Sequence, residues 1–258
     1  MKKIIMSMTT WEPRINSARH AMSSLLGQIK EYGLQDYVHP VLVLSEDDTD
    51  SEQVLHLVKD MKESGGEVLI DEGNIRSHKK LIPIIERYPD NAVLVVDDDS
   101  LQQRRWLLTF ISDHMQNPDY IIYGQNRNCV KVDNDTITEY FDIRKLARPG
   151  EVTTMAKPSS GASGTLYPAH TFEDLRMLDR TQIMLISPTS DETWSFAFAV
   201  MQHRKFRCLS SCNYPLPLAS NQECALWKTN KDRYSQIHND IAKFYPEYLQ
   251  TLKDLSKP

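Results

Sequence analysis

Three consecutive carboxylates, Asp97, Asp98 and Asp99, follow directly on the apolar run Ala92-Val93-Leu94-Val95-Val96. An unbroken apolar, β-branched run reads as a strand buried on both faces, so its acids emerge at the carboxyl end. In open α/β sheets that edge is where ligands bind. Adjacent carboxylates repel one another and resist desolvation, and a hard divalent cation would neutralise them. An acidic turn held in water is the alternative. On an extended strand Asp97 and Asp99 point one way and Asp98 the other. That makes Asp97 and Asp99 the expected metal ligands.

Other groups could serve chemistry at the same edge. Asp191 and Glu192 follow Thr189-Ser190 and open a helix over 193–202. Acids there complement the helix dipole, and a carboxylate in reach of a hydroxyl is also a general base. His78, Lys79 and Lys80 fall in the first turn of a helix expected over 77–87, where ammonium groups and backbone dipole together favour anions; lysines in solvent are the alternative. Gly161-Ala162-Ser163-Gly164 is a small-residue segment that a ligand could approach closely, or an ordinary turn.

The elements that must position these groups alternate along the chain. A strand from Lys3 to Thr9 is followed by the Pro-containing loop Thr9-Thr10-Trp11-Glu12-Pro13-Arg14 and by a helix over 15–31 with Ile15, Ala18, Met22, Leu25 and Ile29 on one face. A second strand from Val38 to Leu44 also ends in acid, at Glu46-Asp47-Asp48. A helix over 51–63, capped by Asp50 or Ser51, leads through Gly65-Gly66 to a strand over 67–70. Helix over 104–115, strand over 120–123 and a late strand over 204–209 complete the pattern, with short helices as a tail. Such alternation implies an α/β fold with a mainly parallel central sheet flanked by helices. The stretch from Gly124 to Lys157 lacks periodicity and is expected to be a binding loop or a hairpin insertion.

The 258 residues suit a single α/β unit with an ample core, and 40% hydrophobic with 25% charged residues is an ordinary globular balance. A net charge of −5 argues against nucleic acid as a partner. No apolar run is long enough for a membrane span or a signal-peptide core, so a cytoplasmic location is expected, with peripheral contact at the inner face of the membrane left open. Cys129, Cys208, Cys212 and Cys224 form no CxxC pair and are expected to be structural thiols.

Taken in order, several of these stretches resemble bacterial glycosyltransferases of the GT-A fold, within the family-2-like range that builds surface polysaccharides. They are Thr9 to Ile15, Lys79-Lys80-Leu81-Ile82-Pro83, the Asp-x-Asp element Asp97 to Asp99, and Gly161 to Pro168. Pro188 to Trp194, Leu226-Trp227, Asn230 and Asn239-Asp240 extend the resemblance over nearly the whole length. Two positions depart from the family pattern: Glu192 stands where the acidic pair usually ends in Asp, and His203 where a Gly often ends the helix.

The resemblance implies a Rossmann-type sheet divided into a nucleotide-sugar-binding half (1–100), an acceptor-binding half (101–220) and a helical tail (221–258). It implies sugar transfer from a nucleotide-sugar donor, a UDP-sugar by expectation, to a glycan or lipid-linked acceptor hydroxyl, with Mn2+ or Mg2+ as cofactor. Thr9, Arg14, Glu46, Lys79, Lys80, Asp97 and Asp98 would face the donor, with Glu46 on the base or ribose and Lys80 on the pyrophosphate. His238 would join Asp97 and Asp99 as a third metal ligand. Glu192, the second acid of its pair, would be the base, and Asp191 would orient it or exchange roles with it. Two other readings are a sugar nucleotidyltransferase, which usually carries a Gly-rich loop where this chain has Thr9 to Arg14, and a non-catalytic carbohydrate- or metal-binding module.

Overall fold

The computed structural model describes residues 2–48, 51–142, 147–158, 160–211, 214–218 and 233–257. In chain order the first strands are β1 (Ile4–Thr9), β2 (Val38–Ser45), β3 (Glu67–Asp71), β4 (Val93–Val96), β5 (Ser100–Leu101) and β6 (Ile121–Tyr123). Then come β7 (Asn126–Asp133), β8 (Thr136–Tyr140), β9 (Val152–Thr153), β10 (Ala156–Pro158), β11 (Thr165–Tyr167), β12 (Phe206–Cys208) and β13 (Leu216–Pro217). The helices are α1 (Ile15–Glu31), α2 (Glu52–Glu63), α3 (Ile82–Arg87), α4 (Trp106–Gln116), α5 (Ser160–Ser163), α6 (Arg180–Ile186), α7 (Asp191–Met201), α8 (Tyr234–Phe244) and α9 (Pro246–Leu255).

The central sheet has eight strands in the order β3-β2-β1-β4-β11-β6-β12-β9. Strands β3, β2, β1, β4, β6 and β12 run one way, and β11 and β9 the other. Alternate residues of the apolar strands feed two separate cores, because successive side chains leave opposite faces. Ile4, Met6, Met8, Leu42, Leu94 and Val96 pack with α1, α2 and α4. Ile5, Val41, Val43, Val93 and Val95 pack with α3, α7 and the two C-terminal helices. The expected mainly parallel sheet, covered on both faces and followed by a helical tail, is the fold observed.

The weakly periodic stretch is a hairpin insertion. Strands β7 and β8 pair antiparallel, β10 joins β7, and the two-residue turn Asn134-Asp135 has both residues at positive φ, 46° and 65°. Those are the dihedrals a type I′ hairpin turn demands, and Asn and Asp tolerate them best after Gly. Of the four cysteines, Cys129 and Cys208 are buried; Cys212 and Cys224 lie outside the described residues, as do Asp50, Leu226, Trp227 and Asn230. Among the described residues no helix is long and apolar enough to cross a membrane.

Two expectations need correction. The helix over 77–87 is two pieces, a 3-10 turn Arg76–Lys80 and then α3, with Leu81 between them at φ −122°. Pro83 explains the break: it has no N–H to donate to the carbonyl of Lys79, and its ring clashes there. The lysines therefore precede the helix instead of forming its first turn. At the acidic cluster, β4 ends at Val96, so strand alternation does not govern Asp97 to Asp99.

Gly164 sits at φ +85°, and a Cβ there would come within 2.3 Å of Cζ2 of Trp106. Both the dihedral and the overlap oppose any side chain. Gly164→Ala is expected to destabilise the protein by about 2 kcal/mol or more, a drop in Tm of roughly 4–8 °C. Calorimetric melting of the two proteins checks this, and a Tm that does not move would refute the packing account.

Candidate active site

Strands β1 and β4 are neighbours in register, so their carboxyl ends bring the loop after Thr9 beside the acidic cluster. Asp98, buried, is held from that loop: its Oδ1 accepts from Arg14 Nη1 at 2.8 Å and its Oδ2 from Thr10 Oγ1 at 2.7 Å. The other arm of the same guanidinium, Nη2, donates to Asp99 Oδ2 at 2.6 Å. Arg14 is presented by the 3-10 turn Glu12–Arg14, in which its N–H donates to the carbonyl of Trp11 at 2.9 Å. A planar fork of fixed donors suits this bridge, which a lysine could not reproduce.

Asp97 turns elsewhere. Its N–H donates to the carbonyl of Gly161 at 3.0 Å, and its Oδ1 accepts from Lys80 Nζ at 2.6 Å. A Cβ on Gly161 would lie 2.2 Å from that oxygen, so the small-residue segment at α5 closes over the carboxylate only because Gly is there. Lys80, 3% exposed, also reaches Asp191 Oδ2 at 2.9 Å. Lys79 points to the end of β2 instead, donating to Ser45 Oγ and, at 3.3 Å, to Asp48 Oδ2. Neither lysine is in solvent.

These contacts set the protonation of the cluster. Burial opposes the Lys80 charge, but Asp191 and Asp97 outweigh it and hold the ammonium well above its ordinary pKa. Burial also opposes the Asp191 carboxylate, yet Lys80 and then His78 bring it below its ordinary value. For Asp97 burial prevails over Lys80 and its pKa rises. Asp98 is pushed up to about 7, by burial first, against the pull of Arg14 and Thr10.

Ser190 caps α7, its Oγ accepting from the N–H of Thr193 at 3.4 Å, and both Asp191 and Glu192 sit in the first turn. The two acids part company there. Asp191 is paired with Lys80, whereas the half-buried Glu192 lies in the field of Lys157 from β10 and Tyr234 from α8. Burial pushes Glu192 up to about 7, Lys157 pulls it down and Asp191 raises it further. A carboxylate poised near neutrality can both take and return a proton.

His238 does not reach Asp97 and Asp99. It is fully buried, with Nε2 on Glu139 Oε2 at 2.9 Å and Nδ1 on the Tyr248 hydroxyl at 2.7 Å, so both ring nitrogens are engaged. Among the described residues no three His, Cys, Asp or Glu side chains converge as a ready-made metal cage. Thr9 donates its hydroxyl to the carbonyl of Val43 at 2.8 Å and ties β1 to β2. Glu46 is exposed just beyond β2, in the 3-10 turn Glu46–Asp48. Sequence reasoning missed Thr10, Lys157, Glu139 and Tyr234; Thr10 stands beside Thr9 in the same loop, but nothing local marks the other three.

Lys80→Met leaves the buried Asp191 and the part-exposed Asp97 facing one another without their shared cation. Breaking such a pair costs about 3–5 kcal/mol. Without the ammonium, the folded-state pKa values of Asp97 and Asp191 rise, so the penalty is fully present at high pH and fades as the acids protonate. Urea unfolding is expected to show a larger deficit at about pH 8 than at about pH 4.5; a deficit independent of pH would contradict this electrostatic account.

No family model and no curated protein sequence matches the chain. Among solved structures it is similar to residues 1–349 of Staphylococcus aureus TarS, with a TM-score of 0.57 at 13% identity, covering 98% of this chain and 71% of that one. Against a longer TarS structure the TM-score is 0.54 at 14% identity, covering 96% of this chain but only 43% of the other, so the chain spans less than half of that protein. A UDP-glucose pyrophosphorylase from Acinetobacter baumannii superposes at a TM-score of 0.45 with 11% identity, over 99% of this chain and 100% of its own, too loosely to bear on detail. The chain has the GT-A-like, Rossmann-type fold: a mixed, mostly parallel eight-stranded sheet flanked by helices, with a helical C-terminal part.

Proposed function

We propose that this chain is a metal-dependent glycosyltransferase that moves a sugar from a nucleotide-sugar donor, a UDP-sugar, to a hydroxyl of a glycan or lipid-linked acceptor. The observation that carries the reading is the convergence of Asp97 to Asp99, Arg14, Lys80 and the Asp191/Glu192 pair at the carboxyl edge of β1 and β4. Trp11, 46% exposed in the turn that presents Arg14, adds an aromatic face on which a nucleobase can stack. The Thr9 to Arg14 loop contains no Gly, and Arg14 is turned back onto Asp98 and Asp99, which speaks against a nucleotidyltransferase phosphate loop.

The residues fit a divalent cation. Asp97 and Asp99 offer hard carboxylate oxygens on side chains 23% and 16% exposed, Asp99 accepting also from Arg14 and, at 3.1 Å, from Ser100 Oγ, whereas the Asp98 side chain is only 5% exposed. Mg2+ is usually held by one or two carboxylates together with substrate phosphates and water, so a full protein cage is not required. When bound at Asp97 and Asp99, the cation would supply positive charge to the leaving nucleoside diphosphate. Lys80 acts on the site by fixing Asp97 and Asp191, and Arg14 by fixing Asp98 and Asp99.

Glu192 takes the proton of the acceptor hydroxyl. Asp191 is the poorer base because Lys80 holds it ionised and occupied, while Glu192 retains proton affinity near neutral pH. With a base at this position the transfer is inverting.

Release of UDP from a panel of UDP-sugars in the presence of Mn2+ tests the reading, together with transfer to oligosaccharide acceptors. Release is expected with at least one donor, and Asp99→Asn should abolish its metal dependence; silence across the panel would overturn the assignment. Glu192→Gln is expected to lower the transfer rate ~10²–10⁴-fold with donor affinity nearly unchanged. Because the base must be ionised, the wild-type rate should fall as pH drops through about 7, and a flat profile there would place the base elsewhere.

A further inference from the structure

Arg14 grips two acids that differ in how deeply they are held. Its Nη1 donates to Asp98 Oδ1 at 2.8 Å and its Nη2 to Asp99 Oδ2 at 2.6 Å. Among the described residues its buried Nε has no partner, so these two arms are the grip. The Nη1 end is deep: the Asp98 side chain is 5% exposed, and Thr10 Oγ1 holds its other oxygen at 2.7 Å. The Nη2 end lies at the margin, on an Asp99 side chain 16% exposed.

The marginal contact is not what holds either residue in place. The Asp99 carbonyl accepts from the N–H of Leu218 at 2.8 Å, next to the pairing of β13 with β5, and Asp99 Oδ1 accepts from Ser100 Oγ at 3.1 Å. On the other side the loop is tied by its own turn: the Arg14 N–H donates to the Trp11 carbonyl at 2.9 Å, and the Arg14 carbonyl accepts from Ser17 Oγ at 2.9 Å. Thr10 and Nη1 join that loop to Asp98. Losing the bond between Nη2 and Asp99 therefore undoes neither anchor. Lys80 differs, because its side chain, 4% exposed, spans Asp97 and Asp191, and withdrawing it strands a buried acid. Of these two cations, Arg14 is the one that can release an acid and keep a counter-charge, Asp98.

We propose that Arg14 Nη2 is an exchangeable counter-ion: it neutralises Asp99 until a divalent cation takes that carboxylate, and then leaves Asp99 while Nη1 stays on Asp98. The inference rests on the reading of Asp97 and Asp99 as a cation site. Like charges repel as the inverse of their separation, and a guanidinium nitrogen 2.6 Å from a carboxylate oxygen stands within a few ångström of any cation bound to the same group. Two consequences follow for the site. Asp99 is ordered and compensated before a cation arrives, and the cation binds less tightly than the carboxylates alone would allow, because Arg14 has to give way. The released arm, tethered through Nη1, is a planar cationic donor of the kind that phosphate oxygens accept.

Arg14→Gln removes the charge and keeps an amide that can donate to Asp98. Loss of the free Mn2+ signal in electron paramagnetic resonance, as protein is added, gives the Mn2+ affinity of each form. Arg14→Gln is expected to bind Mn2+ about tenfold more tightly than the wild type, since the competing charge is gone. A merely structural role for Arg14 gives the opposite result, looser binding by acids that have lost their order. Equal or looser binding, or no binding by either protein, overturns the proposal. Wild-type crystals with and without soaked Mn2+ give a reading that does not depend on the variant folding. The separation of Nη2 from Asp99 Oδ2 should pass from 2.6 Å to beyond hydrogen-bonding range while Nη1 stays on Asp98. A cation on Asp99 with the Nη2 contact intact overturns the proposal, as does a soaked crystal with no cation there. Exchange observed in a protein that turns over no UDP-sugar leaves the counter-ion role standing and removes the transfer reading instead.

Discussion

The ammonium of Lys80 lies between Asp97 and Asp191, 2.6 and 2.9 Å away, and joins the end of β4 to the first turn of α7 across a wide span of sequence. A cation this deeply buried persists only because both partners face it. The partners in turn stay close only because the cation is there. The desolvation of three charged groups is opposed by their mutual attraction, which is strong away from water. Around this triad the backbone has been shaped to match: Pro83 ends the 3-10 turn that delivers Lys80, and Gly161 leaves room for the Asp97 oxygen that receives its bond.

The charge balance at the sheet edge follows from the same arrangement. Four carboxylates, Asp97, Asp98, Asp99 and Asp191, are met by two cations, Arg14 and Lys80. The cluster is therefore organised but not neutral. Its part-exposed members, Asp97 and Asp99, carry the excess negative charge, which the divalent cation proposed above would offset. The buried member, Asp98, responds by holding its proton more tightly, up to about 7.

Neighbouring residues of the same chemical type acquire different characters through their partners. Asp191 and Glu192 share a helix turn, yet one is ionised against Lys80 and the other keeps a proton affinity near 7 beside Tyr234 and Lys157. Lys79 and Lys80 are adjacent, yet one serves the end of β2 and the other the end of β4. In each case two groups that could act interchangeably are separated in role by burial and by the sign of the nearest fixed charge.

Much of the fold was legible in the sequence. The run Val93 to Val96, the apolar face of 15–31 and the Ser51 cap each report local structure, because strand and helix periods are properties of consecutive residues. So does Pro83, whose missing N–H separates the helix from the lysines before it. The chain alone also placed acids at the carboxyl ends of its strands, which is where the parallel order of β1 and β4 puts the candidate site. What only the tertiary structure decided is which charge each acid meets: Arg14 on both Asp98 and Asp99, Lys80 on Asp97 and Asp191, and Lys157 with His238 on Glu139. A side chain's period says whether it is buried, but its partner comes from a segment many tens of residues away, and only the crossing of strands and helices brings the two within hydrogen-bonding range.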